Sequence, residues 1–242
     1  MANLAQLRIL EKLDAFLLVD KPAGIPYSTV VKTVKRKFNL VKVGHGGSLD
    51  ALASGLVVLL INDANKFAGD IMGADRDYEG VMRLGVRTNT GDRHGEAVGE
   101  KRETAALPEG GLLAAAMKEF KGDIFQTEPR YCSVRRENSA LYEVADTGEH
   151  KPFMTHVWKF EIGELTVPGL LPFKVSATKG LIVRSLVDDF GQFIGTGASL
   201  ESCRRTRVGK FKVENAIPFE RLLETDIKDF VPCTIPLGEA LR

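Results

Sequence analysis

A glycine-rich run followed directly by an apolar stretch constrains this chain more than any other feature. The run GHGGSLDALASG covers residues 44–55, and LVVLLI at residues 56–61 has the length and composition of a buried strand. Closely spaced glycines allow backbone conformations that other residues avoid, so a ligand can approach the main chain. The run carries one carboxylate, Asp50. This pattern predicts a loop that presents Asp50 at a functional site.

A phosphate-binding loop is the main alternative for this glycine-rich run. Such a loop places a Lys-Ser or Lys-Thr pair after its last glycine, at the start of a helix. Here Leu56 and Val57 follow Gly55, and the residues after them are apolar. The sequence therefore favours a loop that leads into a strand over one that binds phosphate.

Length and composition predict an ordinary soluble globular protein. The 242 residues are 44% hydrophobic and 27% charged, which fits a single domain over residues 1–242 with a full core. No apolar run is long enough to span a bilayer, and the first twenty residues carry charges throughout, unlike a secretory signal. We therefore expect a cytoplasmic protein without membrane contact.

Cysteine spacing and net charge exclude two simple interpretations. Cys132, Cys203 and Cys233 are far apart and form no CxxC pair, so we expect free thiols and neither a disulfide framework nor a zinc site. The net charge of +1 gives no overall signal for nucleic acid. An RNA-binding surface must therefore be argued from local charge.

The segment before the glycine-rich run predicts a strand, a loop and a basic helix. Residues 16–19 have a buried-strand pattern, and DKPAGIP at residues 20–26 is typical of a loop. Ser28 is a candidate N-cap for the next helix. Valines and a phenylalanine form its apolar stripe, and its other face carries Lys32, Lys35, Arg36 and Lys37. A solvated face explains such a pattern most simply, but the position just before the glycine-rich run favours a functional role for this basic face.

Later segments alternate strands and helices. Residues 78–84 and 173–179 have strand character, and residues 181–190 form an apolar helical stripe with Gly191 placed for the C-cap. A further helix is expected to contribute core residues, namely Leu112, Leu113, Ala116, Met117 and Phe120. Arg184 is anomalous, because a cation near a helix N-terminus opposes the helix dipole. It should reach solvent or meet a carboxylate.

The glycine-rich run closely resembles GHGGTLDPLATG, the signature of the TruB family of tRNA pseudouridine synthases. The aspartate of that signature is the family's catalytic nucleophile, and Asp50 matches it. Ser48 replaces the usual threonine, and Ala51 replaces a proline whose loss is expected to loosen the loop. Neither departure removes a reacting group.

Other blocks resemble the same family over roughly residues 14–225. Tyr78, with the LGVRTNTGD segment after it, matches a tyrosine that contacts the target base, and Arg184 in GLIVRSLVDDFG matches an arginine that pairs with the catalytic aspartate. Tyr142 lies in a block similar to LYExARxG. Cys203 stands where a leucine usually packs against the active site. Other departures are Pro26 and Tyr27 in place of two serines, Arg76 in place of a lysine, Asp146 in place of an arginine, and a basic position lost near Thr155.

The resemblance implies a fold, a reaction and a set of site residues. The implied fold is α+β, a mixed and mainly antiparallel sheet flanked by helices, without room for a C-terminal RNA-binding domain. The implied function is conversion of the T-loop uridine of tRNA, position 55 in tRNA numbering, to pseudouridine by a monomer that needs neither metal nor cofactor. The expected catalytic residues are Asp50, Tyr78 and Arg184. The expected substrate-binding residues are His45, Gly46, Gly47, Tyr142, Cys203, Lys35, Arg36, Arg204 and Arg205.

Two other functions remain open at the level of sequence. A family paralogue could act on another RNA, since the losses at Asp146 and Thr155 affect positions that hold phosphates. A catalytically weak RNA-folding module would keep the basic surfaces but lose Asp50, Tyr78 or Arg184, and all three are present.

Overall fold

The computed structural model describes residues 10–100, 111–127, 131–132, 143–144 and 152–240. The strands are β1 (Ala15–Lys21), β2 (Val43–His45), β3 (Ser54–Ile61), β4 (Arg76–Leu84), β5 (Gly122–Gln126), β6 (Tyr131–Cys132), β7 (Glu143–Val144), β8 (Phe153–Ile162), β9 (Leu170–Ala177), β10 (Ala198–Val208), β11 (Phe211–Lys212), β12 (Ile217–Pro218) and β13 (Ile235–Pro236). The helices are α1 (Tyr27–Lys37), α2 (Ala68–Gly73), α3 (Leu112–Glu119), α4 (Val183–Phe193), α5 (Phe219–Glu224), α6 (Ile227–Phe230) and α7 (Leu237–Ala240). Three short 3₁₀ helices cover Asn62–Phe67, Val213–Asn215 and Val231–Cys233.

Internal contacts divide the chain into two compact units. Unit 1 combines residues 1–74 with residues 204–242, and unit 2 comprises residues 75–203. The unit boundary falls within β10. No helix of the described residues is long and apolar enough to cross a membrane.

Unit 1 is built on β1 and β3, which pair antiparallel from Ala15 opposite Ile61 to Lys21 opposite Gly55. The neighbouring pairs β1–β12 and β3–β10 are parallel. Both central strands are apolar almost throughout and are buried, as strands covered on both faces must be. Strand β2 pairs antiparallel with β3, so the glycine-rich run connects two neighbouring strands.

Unit 2 contains a meander of antiparallel strands in the order β4-β9-β8-β5. Alternate side chains of β4 face the core, which explains why Tyr78, Met82 and Leu84 are buried. Phe160 of β8 and Phe190 of α4 lie 5.6 Å apart between ring centroids and belong to an aromatic core with Phe120. The predicted α+β fold with a mixed, mainly antiparallel sheet and flanking helices is confirmed.

Three local predictions were wrong. Ser28 lies inside the first turn of α1, which begins at Tyr27, with Pro26 as an N-cap that has no side-chain hydrogen bond. Gly191 is not a C-cap, because α4 continues to Phe193. Leu112 is 38% exposed rather than part of the core, although Ala116 and Phe120 are buried.

Gly191 is required for packing rather than for helix termination. A Cβ atom at this position would lie 2.2 Å from the backbone nitrogen of Ala198 and 2.5 Å from the carbonyl carbon of Gly197. Rigid backbone atoms cannot yield at that distance. The glycine therefore allows α4 to contact the turn that leads into β10.

We predict that Gly191→Ala destabilises the protein by about 1–3 kcal/mol, because overpacking outweighs the gain in helix propensity. Gly69→Ala is the matched control. Gly69 lies in α2 with nothing within 4 Å of an added Cβ, so this change should be neutral or stabilise by up to about 1 kcal/mol. Urea unfolding of both variants measures the difference. Equal effects of the two substitutions would contradict the packing role of Gly191.

Candidate active site

The loop between β2 and β3 holds Asp50 between two buried leucines. Leu49 and Leu52 are 6% and 4% exposed, whereas Asp50 is half-buried. The backbone N–H of Ala53 donates to the Asp50 carbonyl at 3.2 Å, closing a turn around the carboxylate-bearing residue. The two leucines anchor the loop in the core of unit 1, so the position of Asp50 is set by packing on both sides.

Arg205 fixes this loop from within unit 1. Its side chain is 1% exposed and donates from Nε to the Leu56 carbonyl at 2.8 Å and from Nη1 to the Ser48 carbonyl at 2.7 Å. Gly55 permits the close approach, because a Cβ there would lie 2.3 Å from the Arg205 carbonyl oxygen. A phosphate contact requires solvent access, which Arg205 lacks. The sequence led us to expect that Arg205 binds RNA. Its burial indicates a structural role instead, which is to hold the loop.

Lys21 is a second buried cation under the same loop. Its ammonium group donates to the carbonyls of Pro22 at 2.8 Å, Ile25 at 2.9 Å and Ala51 at 3.3 Å. The backbone N–H of Gly24 also donates to the Ala51 carbonyl, at 2.7 Å. The DKPAGI segment is thus tied to the residue that follows Asp50. These bonds hold the chain at Ala51 and offset the loosening expected there without a proline.

The charge state of Lys21 reflects this burial. Desolvation, together with the positive charge of Arg205, lowers the pKa of Lys21 to about 8, and the negative charge of Asp50 opposes part of the shift. Asp50 and Lys21 therefore interact electrostatically. Sequence reasoning missed Lys21 as a site residue, although the DKPAGI resemblance was a signal for it.

His45, Gly46 and Gly47 form the start of the glycine-rich run. The Gly47 N–H donates to Nδ1 of His45 at 3.3 Å, which leaves the proton of the neutral ring on Nε2. Gly46 donates to the Val58 carbonyl at 2.8 Å, and a Cβ on Gly46 would lie 2.2 Å from a methyl carbon of Ile71. Gly46 is therefore needed for close packing. Contact of His45, Gly46 and Gly47 with the substrate stays a prediction.

The basic residues expected to contact RNA differ in exposure. Lys35 and Arg36 are exposed in the last turn of α1, where cations also complement the helix dipole. Arg204 forms a bidentate pair with Asp20, at 2.9 and 2.7 Å. Phosphate binding by Arg204 would compete with that pair. Lys35 and Arg36 are thus the better candidates for phosphate contacts.

In unit 2, Arg184 is buried and held by a turn. Its side chain is 3% exposed, and Nη1 donates to the Thr90 carbonyl at 2.7 Å. Gly91 has φ +72° and lies against Arg184, while the Thr90 hydroxyl donates to the buried Asp92 carboxylate at 2.8 Å. The TNTGD segment thus supports Arg184. The expected role of this arginine as partner of Asp50 stays a prediction, because Asp50 belongs to unit 1.

Gln126 positions the start of α4, the helix that carries Arg184. Its side-chain amide donates to the Ile182 carbonyl at 3.1 Å and accepts from the Ile182 N–H at 3.0 Å. The Ser185 hydroxyl adds a bond to the Thr127 carbonyl at 3.2 Å. Sequence reasoning missed Gln126 as a supporting residue, although GDIFQ at residues 122–126 resembles the GxIxQ block of the same family.

Arg184 also lines a cavity of about 1180 Å³ in unit 2. The cavity wall includes the bidentate pair of Arg87 and Asp188, at 2.7 and 2.9 Å, and the carboxyl group of Asp189. Burial and the negative charge of Asp188 raise the pKa of Asp189 to about 6. Arg184 is thus placed beside a large cavity of its own unit, with both polar and apolar walls.

The remaining residues singled out from the sequence are either buried or lie outside the described residues. Tyr78 is 8% exposed on β4, and Cys203 is 5% exposed on β10. Thr155 is buried and its hydroxyl lies 3.2 Å from that of Thr178, so a solvent-facing cation would not fit at its position. Tyr142 and Asp146 lie outside the described residues. Among the described side chains, no group of three or more His, Cys, Asp or Glu residues could hold a metal ion.

We predict that the free energy of unfolding of the parent protein, measured relative to that of Lys21→Met, increases by up to about 3 kcal/mol between pH 8 and pH 10.5. The reason is that the lowered pKa penalises the charged amine in the folded state only. Below pH 8 Lys21 is protonated in both the folded and the unfolded protein, so the cost of burying its charge is fully present. Above pH 8 the folded protein loses this proton and the cost is relieved. Urea unfolding at pH 7.5, 9 and 10.5 measures this. A pH-independent difference between the two proteins would contradict the account.

Comparisons with known proteins match most of the chain to one family. Residues 35–183 match the family model "TruB family pseudouridylate synthase (N terminal domain)", and residues 184–230 match "tRNA pseudouridylate synthase B C-terminal domain". The tRNA pseudouridine synthase B of Burkholderia pseudomallei (strain 668) is 37% identical over 213 residues, covering 87% of this chain and 69% of that relative. The namesake protein of Pseudomonas paraeruginosa (strain DSM 24068 / PA7) is 37% identical over 224 residues, covering 89% and 70%.

Comparison with solved structures shows a similar fold in proteins of Cbf5 complexes. A chain in the crystal structure of a Cbf5-Nop10-Gar1 complex is 25% identical with a TM-score of 0.70, and the match covers 94% of this chain and 61% of that chain. A chain in the archaeal box H/ACA sRNP Nop10-Cbf5 complex is 25% identical with a TM-score of 0.68, covering 96% and 62%. The present chain thus spans less than two thirds of these structural relatives. It belongs to the TruB family of pseudouridylate synthases, which confirms the enzyme class, an RNA pseudouridine synthase, predicted from its glycine-rich signature.

Proposed function

We propose that this chain converts the T-loop uridine of tRNA, position 55 in tRNA numbering, to pseudouridine, with Asp50 as the nucleophile. The observation that carries the proposal is the loop of unit 1, which presents one half-buried carboxylate from a backbone clamped by Lys21 and Arg205. The name of the curated relatives, tRNA pseudouridine synthase B, supports tRNA as the substrate.

The reaction is an isomerisation that the residues of this chain can support without a redox step. The bond between N1 of uracil and C1′ of ribose breaks, the base turns, and a bond forms between C5 and C1′. The C5 proton leaves to solvent and N1 takes up a proton, so the product is an isomer of the substrate. Attack of Asp50 on C1′, or its assistance to departure of the base, requires an ionised carboxylate beside the sugar. The charges of Lys21 and Asp50 attract each other, so a cation lies near the carboxylate.

Tyr78 and Arg184 complete the proposed catalytic set. The family resemblance assigns Arg184 the role of partner to the catalytic aspartate. Within unit 2, the Thr90 carbonyl holds the guanidinium group and Gln126 holds the start of the helix that carries it. Tyr78 stacks on the target base, which must leave the folded T loop to reach it. Lys35 and Arg36 contact phosphates. The protein acts as a monomer in the cytoplasm.

A paralogue that modifies another RNA is the second candidate. The structural similarity to chains of Cbf5 complexes, one of them a box H/ACA particle, is the observation in its favour. The sequence identity to tRNA pseudouridine synthase B, 37% against 25%, favours tRNA. Identity of the modified RNA therefore separates the two candidates.

We predict that Asp50→Asn abolishes pseudouridine formation while tRNA binding stays within about twofold of the parent. The amide keeps the size of the side chain but provides no anionic nucleophile, and RNA affinity comes mainly from phosphate contacts and base stacking. Release of tritium from C5-labelled uridine in a tRNA transcript measures the chemistry, and filter binding measures the affinity. Unfolding must be measured first, because loss of a charge beside buried cations costs up to a few kcal/mol.

Asp63→Asn is the matched control for this variant. Asp63 is an exposed carboxylate of the same unit that pairs with Lys66 at 2.6 Å. Its substitution should leave both tritium release and binding unchanged, because exposed pairs contribute little. Tritium release by folded Asp50→Asn at a rate near that of the parent would exclude Asp50 as the nucleophile.

A further inference from the structure

Tyr27 occupies a position that the family resemblance does not explain. It is the first residue of α1, and it stands where family members more often have a serine. Its ring lies against the ring of His45, with centroids 4.8 Å apart and planes at 59°. Because the rings are tilted rather than stacked face to face, His45 does not cover a full face of the tyrosine ring. Tyr27 is only half-buried.

The backbone around Tyr27 is tied to the loop that carries Asp50. The preceding segment is clamped to Ala51 through the N–H of Gly24 and the ammonium group of Lys21. On the other side, His45 is five residues before Asp50 in the same run and is oriented by the Gly47 N–H. Tyr27 is therefore fixed beside the reactive loop from two directions, with little freedom left in its backbone.

The ring of Tyr27, rather than its hydroxyl group, is the surface that a ligand could use. Within the part of the chain that the structure describes, its hydroxyl makes no hydrogen bond. The same helix presents exposed Lys35 and Arg36 at its other end. An aromatic ring with a spare face and a cationic helix together provide the two elements that single-stranded RNA uses for binding, a stacking surface and phosphate contacts.

We propose that Tyr27 is a substrate-positioning residue, and that its ring stacks on a nucleobase of the RNA loop next to the target uridine. This inference rests on the proposed function, because it takes the RNA that is brought to Asp50 as the ligand. Stacking by Tyr27 holds a flanking nucleotide against unit 1 while the target uridine is out of the stack. It adds a contact specific to this chain at a place where a serine could not stack.

The test compares Tyr27→Ser, Tyr27→Phe and the parent with a T-arm hairpin RNA. Tyr27→Ser should raise the Kd in filter binding, and the KM in tritium release, by about 10-fold, because stacking of one base on an aromatic ring contributes in this range. The kcat should stay within about twofold, since the ring does not touch the reacting atoms. Tyr27→Phe keeps the ring and should match the parent closely.

Trp158→Ser is the matched control. Trp158 is an aromatic residue of unit 2 that is 52% exposed, so its removal tests whether loss of any exposed ring weakens RNA binding. Its Kd and KM should stay at parental values. Hairpins with one abasic nucleotide on either side of the target uridine then locate the contact. At the correct position the parent and Tyr27→Ser should bind equally, as in a double-mutant cycle.

Three results would overturn the proposal. The first is a Kd for Tyr27→Ser within twofold of the parent, and the second is a fall in kcat with unchanged Kd, which would indicate a structural effect through His45. The third is that no abasic hairpin removes the difference between the two proteins. Failure of the proposed function is distinguishable, because the parent would then release no tritium from the hairpin, while the Kd values would still report whether Tyr27 stacks on RNA.

Discussion

Two buried cations under one loop are the constraint on which the candidate site depends. Lys21 and Arg205 are almost completely excluded from solvent, and a buried charge is costly unless its donors are satisfied. Main-chain carbonyls accept the hydrogen bonds that these cations donate. Arg205 donates to Ser48 and Leu56, and Lys21 donates to three carbonyls, one of which is that of Ala51. Another loop conformation would remove the Ser48 carbonyl from Arg205 and the Ala51 carbonyl from Lys21. The energetic demand of the cations therefore fixes the backbone on both sides of Asp50.

The same constraint explains how the loop keeps its shape with alanine at position 51. A proline would restrict the backbone by its ring, which lowers the entropy of the unfolded chain. Here the carbonyl of Ala51 accepts from both Gly24 and Lys21, and the flanking leucines are buried. Packing and hydrogen bonding thus provide order that the ring would otherwise contribute. In unit 2 an arginine is held in a comparable way, since Arg184 donates to a main-chain carbonyl of a tight turn.

Sequence was most informative where structure is local. The continuous apolar segments of β1 and β3 are strands because their composition suits burial on both faces. Strand β4 is also predicted, although its alternation of apolar and polar residues is imperfect. Features set by distant segments could not be predicted. From sequence alone, Gly191 is expected to end a helix and Arg205 to contact phosphate. The close approach of Ala198 to Gly191 and the burial of Arg205 become known only from the structure. Lys21 is hidden for the same reason, because one of its acceptors, the Ala51 carbonyl, lies 30 residues away in sequence.

Mapping of new pseudouridines in unmodified tRNA transcripts after incubation with the purified chain tests the central claim most directly. Carbodiimide labelling followed by sequencing reads every uridine of the transcript in one experiment. The account predicts one new pseudouridine, at position 55 of the T loop, and none with the Asp50→Asn protein. Modification at another position only, or the same signal from Asp50→Asn, would contradict it.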